Sequence, residues 1–309
     1  YTHSMKFQQI IVLILLVFLS CQSDDESPNL NVELPNYPDV DDEPVAAEIA
    51  PFTLMIDESD LIGLPEDTGG NHEGVEKSNT KAPFGYYVYK PHGYTETNQK
   101  YPLLIFLHGW NPNLGKEALE TVLNSGPPRL IETNQWNPKF PFLVVSPQLT
   151  TNHWPTNKTH DFIQYLIETY KVNTDRIYLT GLSLGGGGCW YYAGEYADNY
   201  VAAIVPISAR GQESLIENLT KVPVWAFHGG LDTTVKAYEN FGSVPLVQAI
   251  NAAGPQVRAR VTVYPAAGHN AWTMTYDGSG HNWTNQKYDR FEMDIYEWML
   301  AYKKSDQKP

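Results

Sequence analysis

The chain has 309 residues, 42% of them apolar and 18% charged, which is enough apolar material for a substantial core and too much for global disorder. Lys and Arg number 21 against 35 Asp and Glu, a formal net charge of −14, which disfavours a nucleic-acid partner whose phosphates would need a basic face. The two Cys exclude a disulfide framework, and no CxxC is present for zinc or redox work.

In chain order, residues 1–4 lie upstream of Met5 and are set aside. Lys6 and the apolar run Ile10–Leu19 form an export segment, because a bilayer-spanning helix needs about 20 apolar residues. Phe18-Leu19-Ser20-Cys21 resembles a bacterial lipobox, with Phe where Leu is usual, so residues 1–20 are expected to be a lipoprotein signal peptide and Cys21 its acylated residue. The Ser-acidic cluster that follows resembles a surface-export signal. The implied address is an outer-membrane lipoprotein, on the cell surface or the periplasmic face, that meets the membrane only through its lipid. Residues 22–50 hold nine acidic residues, four Pro and no Lys or Arg, and cannot bury enough apolar surface to offset their ordering entropy. Residues 21–50 therefore read as an extended acidic tether. Residues 51–309 retain 20 basic and 26 acidic groups, so the folded part carries only −6.

Phe84–Lys90 alternates and predicts an antiparallel edge strand. Pro102–Leu107, Pro141–Val145, Arg176–Thr180, Val201–Ile207, Pro223–Phe227 and Arg260–Tyr264 are continuous apolar runs, as expected for strands buried on both faces of a parallel sheet. Helical periods cover His160–Tyr170, Leu184–Tyr196, Tyr238–Ala253 and Tyr288–Tyr302. The alternation predicts an α/β protein, a three-layer sandwich around a mostly parallel sheet, in one domain over 51–309.

Gly181-Leu182-Ser183-Leu184-Gly185 follows the strand RIYLT and opens a helix. G-x-S-x-G in this context places a serine on a sharp, strained turn, where glycines let strand and helix close together. Asp232 ends the stretch HGGLD after strand PVWAF, and His269 follows strand RVTVY. Strand carboxyl ends border the site in an open α/β sheet. The order Ser183, Asp232, His269 gives a nucleophile, an orienting acid and a base. His108, His153, His160, His228 and His281 compete as base, with His281 in DGSGHNW the main rival; His108 and His228 are expected to brace loops. Asp198 is the rival acid. The oxyanion donors are assigned to the Leu184 and Trp110 N–H groups, with Gly109 as the alternative to Trp110. Trp110, Trp154 and Trp272 sit in strand-end loops and could wall an acyl or sugar group; Gln148, in VVSPQ, joins them as a substrate-binding candidate. Cys189 is expected to be buried and inert. No HExxH or GxxxxGK appears, so no metal or phosphate site is expected.

Taken together, YPLLIFLHGW, VVSPQ, RIYLTGLSLGGGGCW, VPVWAFHGGLD and YPAAGHNAW over residues 84–302 resemble the feruloyl and acetylxylan esterases grouped as family-one carbohydrate esterases. They equally resemble secreted peptidases and carboxylesterase-type α/β-hydrolases close to these. The resemblance implies an α/β-hydrolase catalytic domain over 51–309 that needs no cofactor and acts through an acyl-enzyme. Only one αβ unit and a short crossover fit between Ser183 and Asp232, so no large lid domain is expected. An open site favours esters linked to a polymer over long-chain fats. The expected function is therefore a serine carboxylic-ester hydrolase acting on feruloyl or acetyl esters of plant polysaccharides. Polyester hydrolase, prolyl-oligopeptidase-type peptidase and surface glycan-binding lipoprotein are the alternatives.

Overall fold

The computed structural model describes residues 54–110, 118–239 and 241–307. All of them belong to the unit formed by residues 43–309. The expected signal peptide, the acylated Cys21, the 21–50 tether and residues 111–117 lie outside the described residues.

Among the described residues, nine strands form one sheet: β1 (Asn71–Val75), β2 (Tyr86–Lys90), β3 (Tyr101–Leu107), β4 (Leu143–Pro147), β5 (Val172–Leu182), β6 (Val201–Ile207), β7 (Trp225–Gly229), β8 (Arg260–Tyr264) and β9 (Lys287–Tyr288). Their order is β1-β2-β4-β3-β5-β6-β7-β8-β9. The strands from β4 to β8 pair in parallel, and antiparallel pairs close both ends. Seven α-helices among the described residues accompany them: α1 (Gly126–Glu132), α2 (Thr156–Thr169), α3 (Leu184–Glu195), α4 (Ile216–Leu219), α5 (Ser243–Ala252), α6 (Trp272–Tyr276) and α7 (Ile295–Leu300).

β3 shows why the sheet is sandwiched. All seven of its residues are buried. Successive side chains point to opposite faces, so Leu103, Ile105 and Leu107 join one core with Phe162, Trp190 and Leu246, from α2, α3 and α5. Leu104 and Phe106 join the other with Leu130, Tyr276 and Trp298, from α1, α6 and α7. Complete burial of each such Leu or Phe contributes about 1.5–3 kcal/mol, and a strand fed from both faces reads as a continuous apolar run.

Three elements differ from the sequence expectation. The strand at 84–90 is not an edge: β1 pairs with its outer side, and the mixed sequence NHEGV hides β1. The helix expected at 288–302 is only α7, because Lys287 and Tyr288 pair with β8 as β9 and Tyr288 takes φ 64°. The helix expected at 238–253 starts at Ser243, because Phe241 holds φ 58°, outside the right-handed helical region. Between β3 and β4, Ser125 and Gly126 open α1 onto the second core.

Arg176, on β5, is fully buried. Its Nε and Nη2 donate to the Asp60 carboxylate at 2.7 Å each, and its remaining N–H groups reach the Asp57 and Leu300 carbonyls. Lys303 Nζ adds a contact at 2.6 Å to Asp57. The guanidinium thereby joins the N-terminal segment, the central strand and the end of α7. Among the described residues, no helix is long and apolar enough to cross a membrane.

Candidate active site

The parallel strands deliver their loops to one edge, and the site begins where β5 turns into α3. Ser183 takes φ 51° and ψ −117°, a strained region for any residue with a Cβ. Glycines let the turn close: a Cβ on Gly185 would lie 1.9 Å from the Leu107 carbonyl oxygen. The Ser183 N–H donates to Ile207 O at 2.8 Å, and the Gly187 N–H donates back to Ser183 O at 3.0 Å. The turn is thus locked to β6 on one side and to its own helix on the other.

The loops after β7 and β8 are stapled together. The Gly230 N–H donates to Tyr264 O at 2.8 Å and the Leu231 N–H to Ala267 O at 2.9 Å. A Cβ on Gly229 would stand 1.9 Å from Gly268 O, so only glycine permits this approach. The staple brings Asp232 and His269 to Ser183. His269 Nε2 lies 2.9 Å from Ser183 Oγ, and His269 Nδ1 lies 2.7 Å from Asp232 Oδ2. Asp232 is buried, and its Oδ1 accepts the Thr234 and Val235 N–H groups at 2.9 Å each. Burial alone would raise the Asp232 carboxyl; hydrogens offered by His228, His269 and the Val235 amide instead hold it well below the usual carboxylate range. With Nδ1–H given to a carboxylate, His269 Nε2 is left to accept a proton from the serine.

A cleft of about 650 Å³ opens over Ser183 and the first turns of α3, and Trp110, Trp154, Tyr191 and Arg210 are among its walls. Trp110 is 68% exposed. Leu184 is the first residue of α3, where an amide has no acceptor inside its own helix. Trp110 follows Gly109, whose Cβ position is closed off by Leu182 at 2.6 Å. Both expected oxyanion residues therefore border Ser183.

The four expected substrate-binding residues separate. Trp110 and Trp154 line the cleft, and the Trp154 indole is pinned by its N–H to His108 O at 3.1 Å. Trp272 does not line it; the ring stands edge-on to His269 with centroids 5.2 Å apart. Gln148 does not line it either: it is buried and its Nε2 donates to Ala118 O at 2.8 Å, so its amide supports the chain leading into α1. Sequence reading passed over Arg210 and Val235, although both follow strand ends.

The rival residues sit elsewhere. His108 Nδ1–H donates to Gly109 O at 2.6 Å while its Nε2 accepts the Leu149 N–H at 2.9 Å; desolvation keeps this imidazole below its ordinary pKa. His153 lines the cleft mouth, and His160 stacks on Tyr196 with centroids 4.4 Å apart. His281 lies in a 3-10 turn, Ser279–Asn282, against Phe291 and beside a second cavity bordered by Lys139, Glu292 and Glu297. Asp198 pairs with Lys221 at 3.0 Å. Cys189 is fully buried, which pushes its thiol pKa well up. Among the described residues, no three His, Cys, Asp or Glu side chains could hold a metal ion together.

Residues 134–296 match the model of the alpha/beta hydrolase fold family, a span that includes Ser183, Asp232 and His269. The chain belongs to that family. Among solved structures, a thermostable esterase is similar at 24% identity and TM-score 0.55, over 76% of this chain and 63% of its own; this chain thus spans less than two thirds of that protein's length. A feruloyl esterase module from Clostridium thermocellum in complex with sinapinate is similar at 17% identity and TM-score 0.52, over 79% of this chain and 91% of its own. A search of curated proteins finds no match.

Proposed function

We propose that the protein is a serine carboxylic-ester hydrolase that works through an acyl-enzyme on feruloyl or acetyl esters carried by plant polysaccharides. One observation carries the reading: the unbroken chain from Asp232 Oδ2 through His269 to Ser183 Oγ, with contacts of 2.7 and 2.9 Å.

In this mechanism His269 Nε2 takes the Ser183 proton as Oγ bonds to the ester carbonyl carbon. The carbonyl oxygen becomes an oxyanion, and the Leu184 and Trp110 N–H groups are its donors. The C–O bond to the alcohol then breaks, and His269 returns the proton to the leaving alkoxide. Water adds to the acyl-enzyme by the same steps, its proton passing through His269, and the acid leaves with Ser183 Oγ reprotonated. Asp232 remains ionised throughout and stabilises the imidazolium. The open cleft and exposed Trp110 support a bulky or polymer-linked ester.

The test is hydrolysis of p-nitrophenyl acetate, methyl ferulate, acetylated xylan, short alkyl esters and an aromatic polyester by the wild type and by Ser183→Ala. Loss of the hydroxyl is expected to cut kcat on the order of 10⁴–10⁶-fold. Substantial activity in Ser183→Ala would refute the nucleophile. Hydrolysis confined to short alkyl esters would refute the polysaccharide assignment.

A further inference from the structure

The mechanism above leaves one fully buried ionisable ring beside the site unused. His228, on β7, has Nε2 2.7 Å from the Val235 carbonyl oxygen and 3.2 Å from Asp232 Oδ2. Its Nδ1 lies 2.7 Å from Ser243 Oγ, which is 3.1 Å from Ala209 O. Both neighbours of Nε2 are acceptors. A bare lone pair buried against a carbonyl and a carboxylate would be strongly unfavourable, so Nε2 carries a hydrogen. The Ser243 hydroxyl carries one hydrogen: given to Ala209 O at 3.1 Å, it leaves a lone pair toward Nδ1 that asks the ring for a second N–H; turned to Nδ1, it donates there and Nε2–H is the ring's single N–H.

Asp232 Oδ2 is consequently faced by two imidazole N–H groups, His269 at 2.7 Å and His228 at 3.2 Å. The groups around this carboxylate and the His228 ring come from four elements. β7 supplies His228 and the loop after β8 supplies His269. The turn at 232–235 supplies two amide N–H groups and the Val235 carbonyl, and α5 supplies the Ser243 hydroxyl. His228, Asp232 and His269 are the ionisable members of this network.

We propose that His228 is a positioning residue for the Ser183 reaction: its Nε2–H holds the Asp232 carboxylate in plane and shares the oxygen that binds His269, which limits how strongly that carboxylate stabilises the His269 imidazolium. This rests on the triad reading above. A carboxylate oxygen that loses one of two N–H neighbours interacts more strongly with the other, and a carboxylate freed on one side can rotate away from its working orientation. Removing the His228 N–H therefore makes His269 harder to deprotonate in the free enzyme and loosens its geometry.

Two amide substitutions separate the ring's nitrogens. Gln can place its amide nitrogen near the Nε2 position, whereas Asn reaches only the Nδ1 position. His228→Asn is expected to lower kcat about tenfold with little change in KM, and to move the acidic limb of the kcat/KM profile up by about half a pH unit. His228→Gln is expected to stay within about threefold of wild type with the limb in place. Equal losses in both variants with an unmoved limb would mean mere packing and would overturn the proposal. Nitrogen-15 NMR of labelled histidines in the unsubstituted protein gives a reading independent of variant folding: an Nε2–H on His228 is expected, and a ring protonated only at Nδ1 overturns the assignment. Ser183→Ala in the same assay keeps the two readings apart. If Ser183→Ala stays active, the triad itself fails; if it is dead while His228→Asn has the wild-type profile, only the role of His228 fails.

Discussion

Ser183 occupies a backbone conformation that costs on the order of 1–3 kcal/mol for a residue with a side chain. It is held there by β6 through Ile207 and by the amide of Gly187. His269 has no such strain and depends on the staple between its loop and the loop after β7. The two residues therefore reach each other from separately anchored loops, and the base can be identified by substitution. His269→Ala is expected to lower kcat/KM on an activated ester about 10⁴-fold or more, and His281→Ala to leave it within about twofold, because His281 packs on Phe291 beside a different cavity. A dead His281→Ala alongside an active His269→Ala would reverse the assignment. At this scale the sequence singled out Ser183, Asp232 and His269, each close behind a strand, and the structure joins the three through contacts of 2.9 and 2.7 Å. The sequence was uninformative about Gln148, which also follows a strand but spends its amide on the Ala118 carbonyl. No spacing rule tells a strand-end side chain that enters a cleft from one that props a loop.

Among the elements, α3 opens with Gly185-Gly186-Gly187-Gly188, a run that should weaken a helix, since each Gly costs about 1 kcal/mol relative to Ala. Three of the four are required by contact. A Cβ at Gly185 meets the Leu107 backbone, at Gly186 it meets Ala209 at 2.6 Å, and at Gly188 it meets Leu107 and Trp154 at 2.9 Å. At Gly187 the nearest atom is Arg210 O at 3.9 Å, an ordinary contact, and that face looks into the cleft. Gly187→Ala is therefore expected to raise Tm by about 2–4 °C, whereas Gly185→Ala should unfold the elbow or lower Tm by at least 10 °C. Thermal scans of the two variants check this, and a destabilised Gly187→Ala would show that the helix start needs more than open space. The buried parallel strands were readable because both faces are apolar. β1 and β9 were not, because short strands at the ends of a sheet need little apolar sequence and borrow their pattern from the neighbour they pair with. α7 is short for a related reason: the preceding residues are drawn into β9 by pairing with Thr262 and Val263, and local helical periodicity loses to that tertiary contact.

For the whole domain, the Arg176 clasp is the long-range tie. Burial disfavours the charge on Asp60, but the Arg176 guanidinium, Lys303 and Asn173 outweigh it and bring the carboxyl down to about 2. A carboxyl with a lowered folded-state pKa contributes stability that is complete above its unfolded value, near pH 4, and is lost as pH falls through about 2. The gap in urea midpoint between wild type and Asp60→Asn is therefore expected to be widest near pH 6 and to close between pH 4 and pH 2. A gap that stays constant over that range would show that the contact acts by shape and not by charge. The clasp was invisible in the sequence because its partners lie more than 100 positions apart and no local pattern links Arg176 to Asp60.

The same clasp places Asp57 against Lys303, with 2.6 Å between their charged atoms. The two ends of the described residues are thus neighbours, and a short polar linker between residues 57 and 303 could join them covalently. Gly254, exposed in the turn after α5 with nothing within 4 Å of its missing side chain, offers a place to reopen the chain. A circular permutant cut there would keep the β5 elbow and the β7 loop on its C-terminal fragment while His269 moved to the N-terminal one. The three residues would then follow one another in a rotated chain order, His before Ser before Asp, on an unchanged sheet.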